Sequence, residues 1–89
     1  MRLPTSEQTI LSLLTDRGPC YGLELVKLSG RRLTRGGIYV TLGRMEQKGL
    51  VTSEPSDAGR RLYAPTALGE RALLAARVFT GEIKIGADT

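Results

Sequence analysis

Apolar residues recur along this chain with a helical period at both ends and in the middle, and with a strand-like pattern only between residues 50 and 64. Ile10, Leu11, Leu13 and Leu14 form the inner stripe of a first helix over 5–16. Thr5 reads as its N-cap and Gln8 as the partner of a capping box. Gly18 and Pro19 make a turn, and a second helix over 21–28 offers Leu25, Val26 and Leu28 to the core. Gly22 near its start is costly for a helix, so the pattern predicts a close backbone approach there, to the first helix. Ser29-Gly30 breaks this helix, and Thr34 caps a third over 35–48.

The third helix has two unlike sides. Ile38, Leu42 and Met45 recur at the spacing of a buried stripe, while Arg35, Val40, Thr41, Arg44 and Lys48 face the other way with no acid among them. Gly49 stops it. Two strands come next, over 50–54 and 61–64, joined by the loop Pro55-Ser56-Asp57-Ala58-Gly59. Thr66 then caps a fourth helix over 67–79, with Leu68, Ala72, Leu73, Ala75, Ala76 and Phe79 as a broad apolar surface. The order is that of an α+β, mostly α, winged helix-turn-helix: a three-helix core, a two-stranded wing and one C-terminal helix. Residues 1–80 form this single domain, its last helix within 66–80, and residues 81–89 are expected to be a flexible tail.

Charge sharpens the picture. The chain carries a net +4, and residues 27–61 hold eight basic and three acidic residues, a net +5 that leaves −1 elsewhere. A positive patch of this kind attracts phosphate backbones, although a solvated basic face would look the same on charge alone. No apolar run approaches the roughly 20 residues of a membrane span. The N-terminus MRLPTSEQ lacks the apolar run of a secretory leader. The lone Cys20 forms no internal disulfide and reads as a small buried residue, which fits a reducing cytoplasm. There is no histidine, no cysteine pair and no phosphate loop, so nothing supports an enzyme, a metal site or a cofactor.

Double-stranded DNA is the partner that a basic helix feeding a hairpin implies. The candidate contacts are Thr34, Arg35, Gly37, Tyr39, Val40, Thr41, Arg44 and Lys48 on or before the third helix, with Arg60 and Arg61 on the wing. Arginine suits guanine edges and phosphates, threonine either, and Val40 a thymine methyl. Bare backbone at Gly36 and Gly37 allows close contact with a phosphate; a loose first turn, or a tight crossing with the second helix, is the other reading. Tyr39 serves DNA equally with packing against the wing. Arg60 and Arg61 alternate along a strand, so at most one points a given way. Leu68, Ala72, Ala76 and Phe79 exceed what one small core needs, which makes them a candidate dimer interface.

Three segments, in order, resemble the PadR family of bacterial transcriptional regulators over residues 10–73. ILSLLTDRGPCYGLEL is similar to the family's first-helix leucines and Pro-x-x-Gly-x-x-Leu opening of the second helix. GGIYVTLGRMEQKGLV carries Gly36 or Gly37, Tyr39, Leu42, Met45, Gly49 and Leu50 at family spacings, and RRLYAPTALGERAL carries Tyr63, Thr66, Gly69 and Leu73. Leu23 stands where the family usually has an aromatic residue, and Pro65 where an aliphatic one ends the wing strand, which predicts a shortened wing. Many members continue into a long helical region that makes the dimer. Here one short helix comes after the wing, so the resemblance does not by itself guarantee a dimer; a small homodimer built from the fourth and first helices is the expectation. The resemblance also leaves a small-molecule inducer without support, since no roomy pocket is expected.

Together these readings imply a cytoplasmic DNA-binding repressor that reads a palindromic operator with residues 34–48 and the 50–64 wing. Two rivals share the fold: a winged-helix protein-interaction adaptor, and a phage or plasmid replication or excision factor.

Overall fold

The computed structural model describes residues 3–79 and 81. Its elements are α1 (Thr5–Arg17), β1 (Cys20–Tyr21), α2 (Gly22–Leu28), α3 (Ile38–Gln47), β2 (Val51–Pro55), β3 (Arg61–Pro65) and α4 (Ala67–Phe79), with a 3-10 turn at Asp57–Gly59 between β2 and β3. The three strands form one antiparallel sheet in the order β1-β3-β2. This is the mostly helical winged helix-turn-helix that the hydrophobic pattern implies, with one strand more than expected.

The start of α1 departs from the expected capping box. Pro4 occupies the N-cap, no side chain caps the helix, and Thr5 is the first helical residue. Proline's fixed φ breaks the chain one residue early, and the Pro4 carbonyl accepts the Gln8 N–H at 3.0 Å. The Gln8 side chain does fold back, but it donates to the Leu3 carbonyl at 2.7 Å.

The core gathers Ile10, Leu11 and Leu14 of α1, Leu25 of α2, Ile38, Leu42 and Met45 of α3, Leu73 of α4, and Cys20, Leu50, Val51 and Tyr63 at the sheet. Each such side chain contributes on the order of 1.5–3 kcal/mol by leaving water. Leu13, Val26 and Leu28, expected inside, only flank this cluster, whereas Leu33 in the α2–α3 turn is buried. Ser29 secures that turn: its hydroxyl donates to the Val26 carbonyl at 2.7 Å and accepts the Leu33 N–H at 3.0 Å.

Regular helix in α3 begins three residues later than the pattern suggests. Thr34 does cap, its Oγ1 accepting the Gly37 N–H at 3.0 Å, but residues 35–37 then form a turn. Two glycines in succession do not hold helical dihedrals well enough to start a helix. The C-terminus closes with the Leu50 N–H on the Met45 carbonyl (2.9 Å) and the Gly49 N–H on the Glu46 carbonyl (3.0 Å). Gly49 has φ +78, a left-handed conformation that this closure requires and that glycine adopts without strain.

Strand β3 reaches Pro65, which pairs with Val51, so the proline does not shorten the wing. Thr66 caps α4 as expected, accepting the Gly69 N–H at 3.0 Å. Its hydroxyl also donates to the Gly49 carbonyl, and its own N–H donates to the Leu50 carbonyl at 3.1 Å. Gly69 packs against that same Leu50 carbonyl so closely that a Cβ would overlap it. The start of α4 is thereby fastened to the corner where α3 turns into the wing. Apart from Gly81, the expected tail over 81–89 lies outside the described residues.

Candidate nucleic-acid interface

One surface of the molecule collects the N-terminal part of α3 and the turn before it. Tyr39 is 52% and Val40 57% exposed, and Thr34, Arg35 and Arg44 are exposed as well. Among the described residues, the side chains of Arg35 and Arg44 make no hydrogen bond or ion pair. Their guanidinium groups therefore keep every donor open to water or to a ligand.

Two of the expected contacts are already occupied by the backbone. The Gly37 N–H donates to Thr34 Oγ1, and its carbonyl accepts both the Thr41 N–H and the Thr41 hydroxyl at 3.1 Å. The bare amide expected to cradle a phosphate is thus engaged at Gly37. Thr34 and Thr41 reach outward with different capacity: Thr34 keeps its hydroxyl proton, while Thr41 keeps only its lone pairs.

The Tyr39 ring lies over Gly22, where a Cβ would come within 2.7 Å of the ring carbon Cε1. The close approach expected at Gly22 is therefore real, but its partner is α3 and not α1. A missing side chain on α2 makes room for an aromatic ring of α3.

Lys48 leaves this surface. Its ammonium binds both carboxylate oxygens of Glu7, at 2.9 and 3.1 Å, and Glu7 is only 2% exposed. A carboxylate buried so deeply must be neutralised, and Lys48 is the group that does it. Sequence reasoning misses Glu7, yet it sits three, four and seven residues before Ile10, Leu11 and Leu14, on their buried stripe. That spacing is a readable signal.

The wing arginines are held. Arg61 lies across the hairpin with its Nε donating to Ser53 Oγ at 2.8 Å, and the Ser53 hydroxyl donates to the Glu46 carboxylate at 2.8 Å. Arg60 binds Asp57 at 2.8 Å and sits over the Tyr21 ring, 4.1 Å from its centroid. This hydrogen bond, then the arginine's charge, holds the Asp57 carboxyl below the usual carboxylate range, and Asp57 in turn raises the Arg60 pKa. The sequence pattern does not point to Tyr21, Ser53 or Asp57. β1, which places Tyr21, is too short to show any alternation.

The expected dimer residues sit on the far side. Leu68, Ala72, Ala76 and Phe79 line an open groove of about 910 Å3 with Leu3, Gln8, Lys48 and Leu50. A roomy cavity is not expected in a chain with so short a C-terminal helix. Along this groove Leu68 is 47% and Phe79 70% exposed, while Leu73 of the same helix is buried in the core. Among the described residues no helix is long and apolar enough to cross a membrane.

Residues 10–75 match the model of the transcriptional regulator PadR-like family. A comparison with curated protein sequences gives no match. Among solved structures, RosR of H. salinarum is similar, with a TM-score of 0.75 at 28% identity over 97% of this chain and 82% of that one. The PcaV transcriptional regulator of Streptomyces coelicolor, solved with its natural ligand, gives 0.72 at 19% identity over 94% and 65%. BpsR of Bordetella bronchiseptica, whose DNA binding is regulated by 6-hydroxynicotinic acid, gives 0.74 at 22% identity over 91% and 61%. The chain spans less than two thirds of the length of PcaV and BpsR, and at these identities both likenesses speak for the fold alone.

Proposed function

The chain belongs to the PadR-like family of transcriptional regulators, and from that we propose that it is a cytoplasmic repressor that binds a palindromic operator as a homodimer. The observation that carries the reading is the exposed surface of α3 and the turn before it, where the Arg35 and Arg44 side chains, without partners among the described residues, flank Tyr39, Val40 and Thr41 in sequence. In a winged helix this is the part that enters the major groove. Arg44 and Arg35 reach guanine edges or phosphates, Val40 meets a thymine methyl, and Thr34 donates its free hydroxyl proton to a phosphate. Arg60 and Arg61 engage the flanking backbone from the wing. Lys48 has no part in this, since its charge belongs to Glu7.

Two copies meet through Leu68, Ala72, Ala76 and Phe79. An apolar groove of this extent on so small a domain supports a partner surface, and a two-fold axis there brings the same patch onto itself. Two recognition helices then read half-sites roughly 10 or 20 base pairs apart. Occupying a promoter in this way blocks polymerase, the simplest route to repression.

The test is a fluorescence-anisotropy titration of the chain with the DNA upstream of its own gene and with a scrambled duplex, at near-physiological salt. The proposal expects at least a hundredfold preference for the upstream sequence, within the usual span of specific over non-specific binding. Equal affinity for both duplexes defeats it.

A further inference from the structure

Tyr21 ends β1, pairs with Leu62 of β3, and stands at the N-cap of α2, where its N–H donates to the Glu24 carboxylate at 2.8 Å. Its backbone is thus fixed by the sheet and by α2 at once. From there its side chain spans to the tip of the wing. The hydroxyl lies 2.9 Å from Ser56 Oγ and 3.4 Å from Asp57 Oδ1, and the ring face carries the Arg60 guanidinium. Asp57 closes the circle by taking the Arg60 Nη2 donor.

An exposed arginine–aspartate pair alone does not hold a long side chain in one place. Here a third group, rooted in the fold, supplies a flat surface beneath the guanidinium. A guanidinium carries five N–H donors. Asp57 engages one nitrogen and the tyrosine one face, while the remaining donors have no partner among the described residues. Fixing a flexible side chain before binding removes an entropic cost that would otherwise be met on contact.

We propose that Tyr21 is a positioning residue for DNA binding: standing beneath Arg60 and bonded to the wing tip, it presents the open edge of that guanidinium to a DNA phosphate without touching the DNA itself. The inference rests on the proposed DNA-binding role of the wing.

Its test is a double-mutant cycle of Tyr21→Leu and Arg60→Ala, read by anisotropy over a series of salt concentrations with upstream and unrelated duplexes. Arg60→Ala should weaken both duplexes alike and lower the salt slope by about one. Tyr21→Leu should weaken binding about three- to tenfold when Arg60 is present, and less than twofold when it is absent. An equal loss in both backgrounds means that Tyr21 serves only the fold, and no loss in either means that it serves neither; each overturns the inference. A second measurement uses the unaltered chain. The Arg60 side-chain resonances should be shifted upfield by the Tyr21 ring and should stay shifted when DNA is added. Their return to unshifted positions in the complex shows that Arg60 leaves the ring, which also overturns the inference. A wild-type chain without preference for its own upstream DNA defeats the repressor reading instead, so the two failures are told apart.

Discussion

The segment of α3 with the turn before it and the wing each direct two arginines outward, but under opposite constraint. The Arg35 and Arg44 side chains make no bond among the described residues, whereas Arg60 is fixed by Asp57 and Tyr21, and Arg61 by Ser53. A free arginine loses rotamer entropy on binding but can choose among partners as the groove presents them. A tied arginine gives up that choice and saves the cost. Base edges differ from site to site and phosphates do not. Free arginines on the helix and tied ones on the wing therefore suit reading and gripping respectively.

The sharpest way to break this contrast is Arg44→Ala. It should cost about 1–3 kcal/mol on the preferred site and much less on unrelated duplex, so that sequence preference relaxes. A loss that is uniform across sequences would make Arg44 another backbone contact and erase the distinction. Lys48→Ala tests the boundary of the helix's binding face. It leaves Glu7 buried without its counter-charge, and because the Lys48 side chain is partly open to water the expected loss is about 2 kcal/mol of folding stability. Chemical denaturation should show this loss, while DNA affinity of the folded variant stays within about threefold and the salt slope is unchanged. The reverse pattern would return Lys48 to the DNA face.

Smaller effects refine the wing. Arg61→Ala should weaken every duplex alike by less than about 1 kcal/mol, and Ser53→Ala should reproduce part of that loss, since Ser53 holds the guanidinium in place. The smallest effect is alkaline and lies at the root of the wing, where Cys20 and Tyr63 pair across β1 and β3. Burial, reinforced by Glu24, pushes the Cys20 thiol above its ordinary 9.0, and burial likewise pushes Tyr63 above 10.0. Both groups are held protonated in the folded chain. Their contribution is therefore complete below the ordinary values and is lost as pH rises from 9.0 through the raised folded values. The denaturation midpoint should fall slightly over that range, and Cys20→Ala should flatten the first part of the fall.

How much of the structure is legible in the sequence depends on the length over which each signal acts. The stripes Ile10-Leu11-Leu14 and Ile38-Leu42-Met45 repeat over enough turns to fix two helices and their buried faces. Gly49 marks the end of the second of these and Thr66 the start of α4, because each does a job few residues can do. β1 leaves no trace, since two residues cannot show alternation and its pairing with β3 is long-range. The roles of Tyr21 and Asp57 are hidden for the same reason: the hydrogen bond joining Tyr21 to Ser56 spans 35 residues. Lys48 is misplaced because a helical projection gives the face of a residue but not the reach of a long side chain. Only the acid waiting at Glu7, 41 residues away, decides where that charge goes.

The fastening at the corner between α3 and β2 has a mechanical meaning. Thr66 grips the Gly49 and Leu50 carbonyls, and Gly69 is pressed against the second of them. Thr66 and Gly69 belong to the same rigid helix that carries Leu68 and Phe79 into the groove. In the proposed dimer, this fastening would make α4 a lever arm: a tilt of α4 at the groove should be carried through Thr66 and Gly69 to α3 and so change the separation of the two proposed reading helices.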